Sequence, residues 1–283
     1  MNKIMTFLTA GMIFCTLTAS ALPAGAEPFS GKYGTNIKFT VENGILTLTG
    51  TGAIGDFDEY NDQEGYIKAL DAYNEKYPDY DVWELSPENN PDLYSGDDAR
   101  ELPPSYKDYL RSTAPWSVYG RSIEKIVVGE GITSIGRYAF YNTTAKSVSL
   151  PDTLQYLGDN AFQYCNSLTA ISLPKSLTQM GSEVFCECTA LTEVSLPDSL
   201  TIMGSAVFGE CEALTEISLP DSLTEMGKYV FIDCTMLETY HWPSGLDTVP
   251  ESTFTGCSIS EPVFPPTLKH LEDRAFDWNP IKT

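Results

Sequence analysis

The sequence has few basic residues: 17 Lys and Arg stand against 39 Asp and Glu, and the formal net charge is −22. Proteins that bind nucleic acid or an anionic membrane surface do so through clustered Lys and Arg side chains. The charge therefore disfavours both kinds of partner, and we expect no nucleic-acid ligand.

Histidine is also scarce, since the chain contains only His241 and His270. Nucleophilic catalysis by Ser or Cys normally needs a neighbouring histidine base, and zinc sites need ligands at short, regular spacings. Neither pattern occurs, so we predict no catalytic residue, no metal and no cofactor, and we expect the protein not to be an enzyme. A hydrolase using two of the many carboxylates stays open as an alternative, although no particular pair is indicated.

Long apolar runs are missing after residue 26. The first 26 residues have Lys3, a mostly apolar run from Ile4 to Leu17, and Ala24-Gly25-Ala26 at their end. This order is typical of a secretory signal peptide, which predicts a mature chain starting at Glu27. Because no later segment approaches the roughly 18 apolar residues of a membrane span, we expect a secreted or cell-surface protein without a transmembrane segment.

What the chain has in abundance is repetition. A unit of 23 residues occurs three times in succession, beginning at Ile171, Val194 and Ile217, as ISLPKSLTQMGSEVFCECTALTE, VSLPDSLTIMGSAVFGECEALTE and ISLPDSLTEMGKYVFIDCTMLET. Self-similarity at such a period indicates a solenoid, in which each unit buries its apolar face against its neighbours. We predict a mainly β, right-handed solenoid of about seven turns of 22–24 residues.

Each unit reads as two short walls joined by turns. The pattern L-x-x-I-x-L, as in Leu168 to Leu173, predicts a strand with inward apolar side chains that the following proline ends. Leu177 and Met180 should form the opposite wall, Gly181 should allow a tight turn, and the Val184-Phe185 pair should fill the core. The residues that recur in every unit are therefore core residues in this interpretation.

The cysteines follow the same period. Five of them lie three residues after a phenylalanine and 23 residues apart, at Cys165, Cys188, Cys211, Cys234 and Cys257. Such a column suits small buried thiols. Neighbouring turns would be close enough for disulfides, but an odd number of column thiols cannot all pair, so free thiols are favoured. Cys186 lies off the column, and we expect it to be exposed.

The regions before the repeats differ from them. Residues 27–55 contain two β-rich runs around Asn43-Gly44, which predicts a hairpin that caps the first turn. Residues 56–114 form an acidic, tyrosine-rich insertion, in which Tyr66 to Tyr77 could be a short helix ended by Pro78. The solenoid should then occupy residues 115–283, with the last repeats degenerate.

The unit L-x-x-I-x-L-P-x-S-L-x-x-I/M-G-x-x-A/V-F-x-x-C resembles the BspA-like class of bacterial leucine-rich repeats from Ile123 to about Phe276. The segments SGKYGTNIKFTVENGILTLTGTGAI and APWSVYGRSIEKIVVGEGITSIG resemble the N-terminal cap of that class, apart from the longer insertion between them. The resemblance implies an exported or cell-surface recognition protein, some members of the class being adhesins, and it names no ligand.

Because the recurring residues are in the core, we expect the solvent-facing side chains to bind the ligand. On the strand side, expected to be the concave face, these residues form ladders of hydroxyls flanked by carboxylates and one imidazole: Thr169, Ser172, Thr192, Glu193, Ser195, Thr215, Glu216, Ser218 and His241. We predict that this face of a monomeric, adhesin-like protein binds a protein or a glycan. The plain alternative is that Ser and Thr are tolerated solvent-facing strand residues.

The insertion offers a second possible site. Its tyrosines and Trp83 could stack on sugar rings, and its aspartates could hold calcium, although Asp97-Asp98 and Asp79-x-Asp81 lack the ligand order of a known calcium loop. A carbohydrate- or calcium-binding module centred on the insertion is therefore the alternative to the strand face, and a solvated loop is the alternative to both.

Overall fold

The computed structural model describes residues 29–33, 36–57, 59–61 and 110–282. Within them, nearly all regular structure is short β-strand, and the one helix is a 3-10 helix at Ser117–Ser122. The strands stack turn upon turn, which confirms the predicted β solenoid.

The N-terminal cap begins with three antiparallel strands, β1 (Phe29–Tyr33), β2 (Ile37–Glu42) and β3 (Ile45–Gly50). The turn between β2 and β3 is Asn43-Gly44, with φ values of 49° and 76°. Both residues thus take the left-handed conformation that Asn and Gly tolerate best. The predicted hairpin is confirmed.

After the cap, the chain contributes one strand to the second side of the solenoid and then forms a separate two-stranded pair. Strand β4 (Gly52–Ile54) is followed by an antiparallel pair, β5 (Glu59–Asn61) and β6 (Leu110–Ser112). The two ends of the predicted insertion therefore lie side by side. The predicted helix from Tyr66 to Tyr77 lies outside the described residues.

The repeats supply two parallel walls. On the first wall lie β7 (Lys125–Val128), β9 (Ser147–Ser149), β11 (Ala170–Ser172), β13 (Glu193–Ser195), β15 (Glu216–Ser218) and β17 (Thr239–His241). On the second wall lie β8 (Ile132–Ile135), β10 (Tyr156–Leu157), β12 (Gln179–Met180), β14 (Ile202–Met203), β16 (Glu225–Met226), β18 (Thr248–Val249) and β19 (His270–Leu271).

Neighbouring turns pair in the register of the repeat: Ile171 lies opposite Val194 on the first wall, and Met180 lies opposite Met203 on the second. The solenoid has about six turns, because β19 has no first-wall partner strand among the described residues. Pro262 occupies the position that Tyr240 has in β17, and proline lacks the N–H that strand pairing needs. The seventh predicted turn is therefore incomplete.

A stack of aromatic rings runs along the third, turn-rich side of the core. The phenylalanines are stacked at centroid distances of 5.1–5.7 Å: Phe140, Phe162, Phe185, Phe208, Phe231, Phe254 and Phe276. Trp116 continues this stack at the N-terminal end, 5.9 Å from Phe140 and 5.4 Å from Phe39 of the cap. Its indole Nε1 donates to the Ala139 carbonyl at 2.7 Å. Trp116 thus joins the cap to the repeats, a role that the sequence did not reveal.

The six cysteines described are all free, and the column is buried as predicted. Each column thiol donates to the carbonyl of a phenylalanine on the preceding turn, as Cys211 does to Phe185 at 3.2 Å and Cys234 to Phe208 at 3.0 Å. Asn279 replaces the cysteine in the last turn, and its Nδ2 donates to the corresponding carbonyl of Phe254. The thiols therefore act as hydrogen-bond donors between turns.

Cys186 is not exposed, contrary to our prediction. Only 8% of it is accessible. It occupies the position after the phenylalanine, where Gln163 and Gly209 of the adjacent turns are also buried. Turns stacked at strand spacing leave no room for solvent between such residues. Burial, followed by the charges of nearby Glu183 and Glu187, raises the pKa of the Cys186 thiol to about 12.

The repeated glycine is required for a different reason from the one we predicted. Gly204 does not have a positive φ, and the left-handed residue of its turn is Ala206, two positions later. A Cβ on Gly204 would instead lie 2.5 Å from the carbonyl carbon and oxygen of Gly181 in the preceding turn. The glycine column thus permits the close approach of successive turns.

Candidate ligand-binding face

The predicted binding residues lie together on one surface, which we call the strand face: the outward side chains at and beside β11, β13, β15 and β17. The stacking register brings Ser172 next to Ser195, and Ser218 next to His241. All nine predicted residues are exposed: Thr169, Ser172, Thr192, Glu193, Ser195, Thr215, Glu216, Ser218 and His241. The solenoid thus places side chains that are 23 residues apart in sequence next to each other on the paired strands.

The columns extend beyond the predicted residues. Ser149 of β9 is exposed and precedes Ser172 by one repeat, so it lengthens the serine column by a turn. Thr239 of β17 lies opposite Glu216 and is also exposed. The repeat period alone would have identified both, because each is one period from a predicted residue.

The hydroxyls of the strand face are not equivalent. The Thr192 Oγ1 donates to the Thr169 carbonyl at 3.0 Å, so that hydroxyl links two turns. Within residues 110–282, no hydrogen bond involves the side chains of Ser172, Ser195 or Ser218. The hydroxyls of the serine column are therefore free to meet a ligand.

Other hydroxyls of the repeat are structural, and the sequence did not distinguish them. On the second wall, Thr178, Thr201 and Thr224 each donate to a carbonyl of the preceding turn at 3.1–3.3 Å. The serine of the P-x-S-L motif does likewise, as when the Ser199 Oγ donates to the Leu177 carbonyl at 2.7 Å. These side chains stabilise the stacking of turns, and they are poor candidates for ligand contacts.

The strand face carries negative charge along one side. Glu193 and Glu216 lie in adjacent turns, and Glu238 follows in the next. Beyond the strands, Asp221 accepts hydrogen bonds from the Ser244 N–H at 2.7 Å and from its Oγ at 2.8 Å, and these two bonds lower the pKa of Asp221. The charge of His241 acts in the same direction as a smaller cause. An anionic ligand is therefore disfavoured at this surface.

The groups that would support catalysis or metal binding are not brought together among the described residues. His241 lies in β17 on the first wall and His270 in β19 on the second. No cluster of three His, Cys, Asp or Glu side chains in the described ranges has a metal-binding arrangement. Within these same ranges, no helix is long and apolar enough to cross a membrane.

The tyrosine- and aspartate-rich insertion, our alternative site, lies mostly outside the described residues. Of its candidate groups, Trp83, Asp79, Asp81, Asp97 and Asp98 are all in that part. The carbohydrate- or calcium-binding alternative is therefore still a prediction.

Two parallel walls, an aromatic stack and a repeat of about 23 residues define a leucine-rich-repeat β solenoid. The sequence profile of the BspA type leucine rich repeat region matches in six copies, over residues 116–238 and 157–282. Together these matches span more than half of the chain, and the chain belongs to this family.

Solved structures that are similar to this chain include leucine-rich-repeat proteins of bacteria. The leucine-rich-repeat protein of T. pallidum is 29% identical, with a TM-score of 0.46, over 52% of this chain and 68% of that one. A Bacteroides ovatus leucine-rich-repeat protein is 19% identical, with a TM-score of 0.46, over 84% and 60%. The pneumococcal vaccine antigen PcpA is 15% identical, with a TM-score of 0.41, over 85% and 71%. The chain thus spans 60–71% of these proteins, and no curated protein matches it.

Proposed function

We propose that the protein is a non-enzymatic, secreted or cell-surface binding protein that engages a protein or glycan through its strand face. The observation that carries the proposal is the serine column: Ser172, Ser195 and Ser218 recur at one position of the repeat, Ser172 lies opposite Ser195, and all three are exposed and without a side-chain hydrogen bond in the described part of the chain. Family membership and the signal-like residues 1–26 support export.

The chemistry of the column favours an extended, polar ligand. Hydroxyls on successive strands repeat at about 4.8 Å, and each can donate one hydrogen bond and accept up to two. A peptide backbone and the hydroxyls of a glycan both carry donors and acceptors that can pair with these hydroxyls. The carboxylates of Glu193 and Glu216 beside the column favour a neutral or basic ligand over an acidic one.

Binding to a solenoid face distributes the affinity over many turns. Single substitutions are then expected to have small effects, whereas one change repeated in several turns should disrupt the whole surface. The test is therefore a triple variant in which Ser172, Ser195 and Ser218 are all replaced by Arg. It adds bulk and three positive charges to the column without touching the core.

A matched control adds the same charge to the other wall. Thr133, Gln155 and Gln179 are exposed and uncharged on or beside β8, β10 and β12, and replacing all three by Arg also adds three positive charges. Both variants should keep the thermal unfolding midpoint of the native protein to within a few degrees.

The measurement is a glycan array and a pull-down against matrix proteins, followed by titration of each ligand found. We expect the strand-face variant to lose at least about tenfold in affinity for a genuine ligand, and the control variant to keep it. If the strand-face variant binds as well as the native protein, the proposal is wrong. A ligand that is lost only on deleting residues 61–110 would place the site in the insertion.

A further inference from the structure

Cys186 is the one described cysteine that lies outside the buried column. Column thiols donate to a backbone carbonyl of the preceding turn, as Cys188 does to the Phe162 carbonyl at 3.2 Å. Cys186 instead follows the phenylalanine of its turn, a position that is Gln163 in the preceding turn and Gly209 in the following one. Packing at this position therefore does not require a thiol.

The side chain next to Cys186 on the preceding turn is that of Gln163. The Phe162 N–H donates to the Val184 carbonyl at 2.9 Å, and the Tyr164 N–H donates to the Cys186 carbonyl at 3.0 Å. Gln163 thus lies directly opposite Cys186, on backbones about 4.8 Å apart. Both residues are 8% exposed. Burial raises the pKa of the Cys186 thiol, and a hydrogen bond from the Gln163 side chain lowers it, so thiol and carboxamide are in contact.

Two further side chains hold the Gln163 carboxamide. Asn160 Nδ2 donates to Gln163 Oε1 at 2.7 Å, and Gln163 Nε2 donates to Glu183 Oε2 at 3.1 Å. A donor on a carbonyl oxygen stabilises the negative charge that develops there when a nucleophile attacks the carbonyl carbon. A carboxyl group beside the amide nitrogen can deliver a proton to that nitrogen as it leaves. The carboxamide is therefore held as an acceptor of a nucleophile.

Glu183 also lies close to the thiol. After burial, its charge is the largest cause that raises the pKa of Cys186, to about 12. The thiol is therefore neutral at neutral pH, and a thiol reacts as a nucleophile only when an adjacent base removes its proton. The Glu183 carboxylate is placed to accept that proton. The four side chains thus supply a nucleophile, a carbonyl carbon, an oxyanion donor and a proton carrier.

We propose that Cys186 and Gln163 form an internal thioester, which then acylates a primary amine of a bound partner. Cys186 Sγ attacks Gln163 Cδ while the thiol proton moves to Glu183. The C–N bond of the carboxamide then breaks, Glu183 gives the proton to the leaving nitrogen, and ammonia is released. One thiol and one carboxamide thus give one thioester and one ammonia, so no oxidant or reductant is needed.

The surroundings suit such a reaction. Each chain reacts only once, so a slow rate is enough, and ammonia that leaves into dilute solution draws the equilibrium towards the thioester. Because Cys186 and Gln163 are more than nine-tenths buried, water has little access to the new bond. The structure shows the two side chains before they react.

The half-buried carboxylates around the site favour a lysine side chain as the amine. Glu183, Glu187 and Glu210 all act on the Cys186 thiol through their charge, and such a field attracts a cation. The amine would attack Gln163 Cδ, form an amide with that side chain and return Cys186 to a thiol. The site lies on the turn-rich side of the solenoid, so this chemistry is independent of the ligand proposed for the strand face.

The first test compares the intact masses of two variants of identical composition, Gln163→Ala and Gln155→Ala. Gln155 is an exposed glutamine beside β10. Only Gln155→Ala retains the reacting carboxamide, so we expect it to be lighter than Gln163→Ala by the mass of one ammonia. Equal masses would overturn the inference. Succinimide formation at Asn43-Gly44 also releases ammonia, but it would affect both variants alike.

Both variants should give the circular dichroism spectrum of the native protein, since glycine occupies the position of Gln163 two turns later. If Gln163→Ala does not fold, Cys186→Ala provides the same comparison, because it should retain the ammonia that the native protein loses. Gln163→Ala keeps Cys186 as a free thiol, and the titration of that thiol is measured in this variant.

The second test uses methylamine as the amine. The unfolded native protein should show five reactive thiols among its six described cysteines before treatment and six after it. A proteolytic digest should locate one methylamide on Gln163, and Cys186→Ala should gain none. A native protein with six thiols before treatment, or without methylamide on Gln163 after it, would contradict the proposed chemistry.

The third test concerns Glu183. Glu183→Gln keeps the size of the side chain but cannot carry the proton, so we expect ammonia loss from freshly synthesised protein to be at least about tenfold slower. Asp198→Asn removes an exposed carboxylate beside the strand face and should leave that rate unchanged. Ammonia loss from Glu183→Gln at the native rate would show that the proposed proton transfer is wrong.

Discussion

Met203 in an interior turn and Leu271 in the last turn occupy the same position of the repeat, yet 1% of Met203 and 52% of Leu271 is exposed. The difference does not come from the residue type, since both are large and apolar. It comes from the following turn: Met203 lies opposite Met226 of that turn, whereas Leu271 lies opposite Val249 of the preceding turn alone within residues 110–282. In a solenoid, burial depends on neighbours as much as on the pattern within a unit.

The same comparison applies to hydrogen bonds. In the interior turns, each column thiol donates a hydrogen bond to a carbonyl of the preceding turn. Backbone N–H groups of the same turns donate to carbonyls of the following turn. In the last turn, Asn279 still makes the backward bond to Phe254. The forward bonds of Phe276 and Trp278 have no acceptor in the described chain. Interior turns are therefore hydrogen-bonded to a turn on each side, and the last described turn to the preceding turn only.

The largest expected effect tests this comparison in the aromatic stack. Replacing Phe208 by Ala should lower the free energy of unfolding by about 3–5 kcal/mol, because the ring is fully buried and lies between Phe185 and Phe231. Replacing Phe276, which is only partly buried and stacks on one side, should cost roughly half as much. Urea titrations of both variants measure the difference. Equal losses would show that the last turn is as well covered as the interior ones.

A smaller effect is expected at the glycine column. A Cβ at position 204 meets the backbone of Gly181, so Gly204→Ala should lower the free energy of unfolding by about 1–3 kcal/mol. In the last turn the same position is Glu272, an exposed residue. Glu272→Ala, the matched control, should change the free energy of unfolding by less than about 1 kcal/mol. Thermal unfolding of the two variants decides whether close approach, rather than backbone conformation, requires the glycine.

The smallest effect concerns Cys186, a thiol that is buried in an interior turn. The folded protein holds Cys186 as a neutral thiol with a pKa near 12, against a usual value of 9.0. The unfolded chain therefore loses this proton first, and the stability gained from the neutral thiol is complete below pH 9 and lost as pH rises towards 12. At pH 10 we expect a loss of about 1 kcal/mol from this one group.

Urea titrations at pH 7 and pH 10 measure the loss, and Cys186→Ala should reduce it, since alanine does not titrate. The thiol should also resist alkylation at pH 8 until the protein is unfolded. Rapid labelling of Cys186 in the folded protein at pH 8 would contradict the burial described above.

Much of this fold could be predicted because the repeat makes each residue type appear in one environment several times. Leu177, Met180 and Phe185 were placed correctly in the core, and Asn43-Gly44 in a hairpin turn, since these depend on local pattern and turn chemistry. Cys186 was misplaced because its burial is caused by residues of the adjacent turns, which a single unit does not show.

The candidate binding face was only partly predictable. The outward columns follow from the alternation of strand residues, so Ser172, Ser195 and Ser218 were found. The sequence could not show that the Thr192 hydroxyl donates a hydrogen bond to the Thr169 carbonyl, because that bond depends on the distance between two turns. It likewise could not separate the structural hydroxyls of Thr178 and Thr201 from those left free.

The sequence by itself determined the architecture of this protein: the period, the two walls, the aromatic and cysteine columns and the hairpin cap all follow from residue types at fixed spacings. Only the tertiary structure decided which hydroxyls remain free, and that Trp116 is fully buried in the first turn while Leu271 is 52% exposed in the last described one. The physical reason is that spacing fixes the fold of one turn, whereas burial and hydrogen bonding are set by the turns on either side.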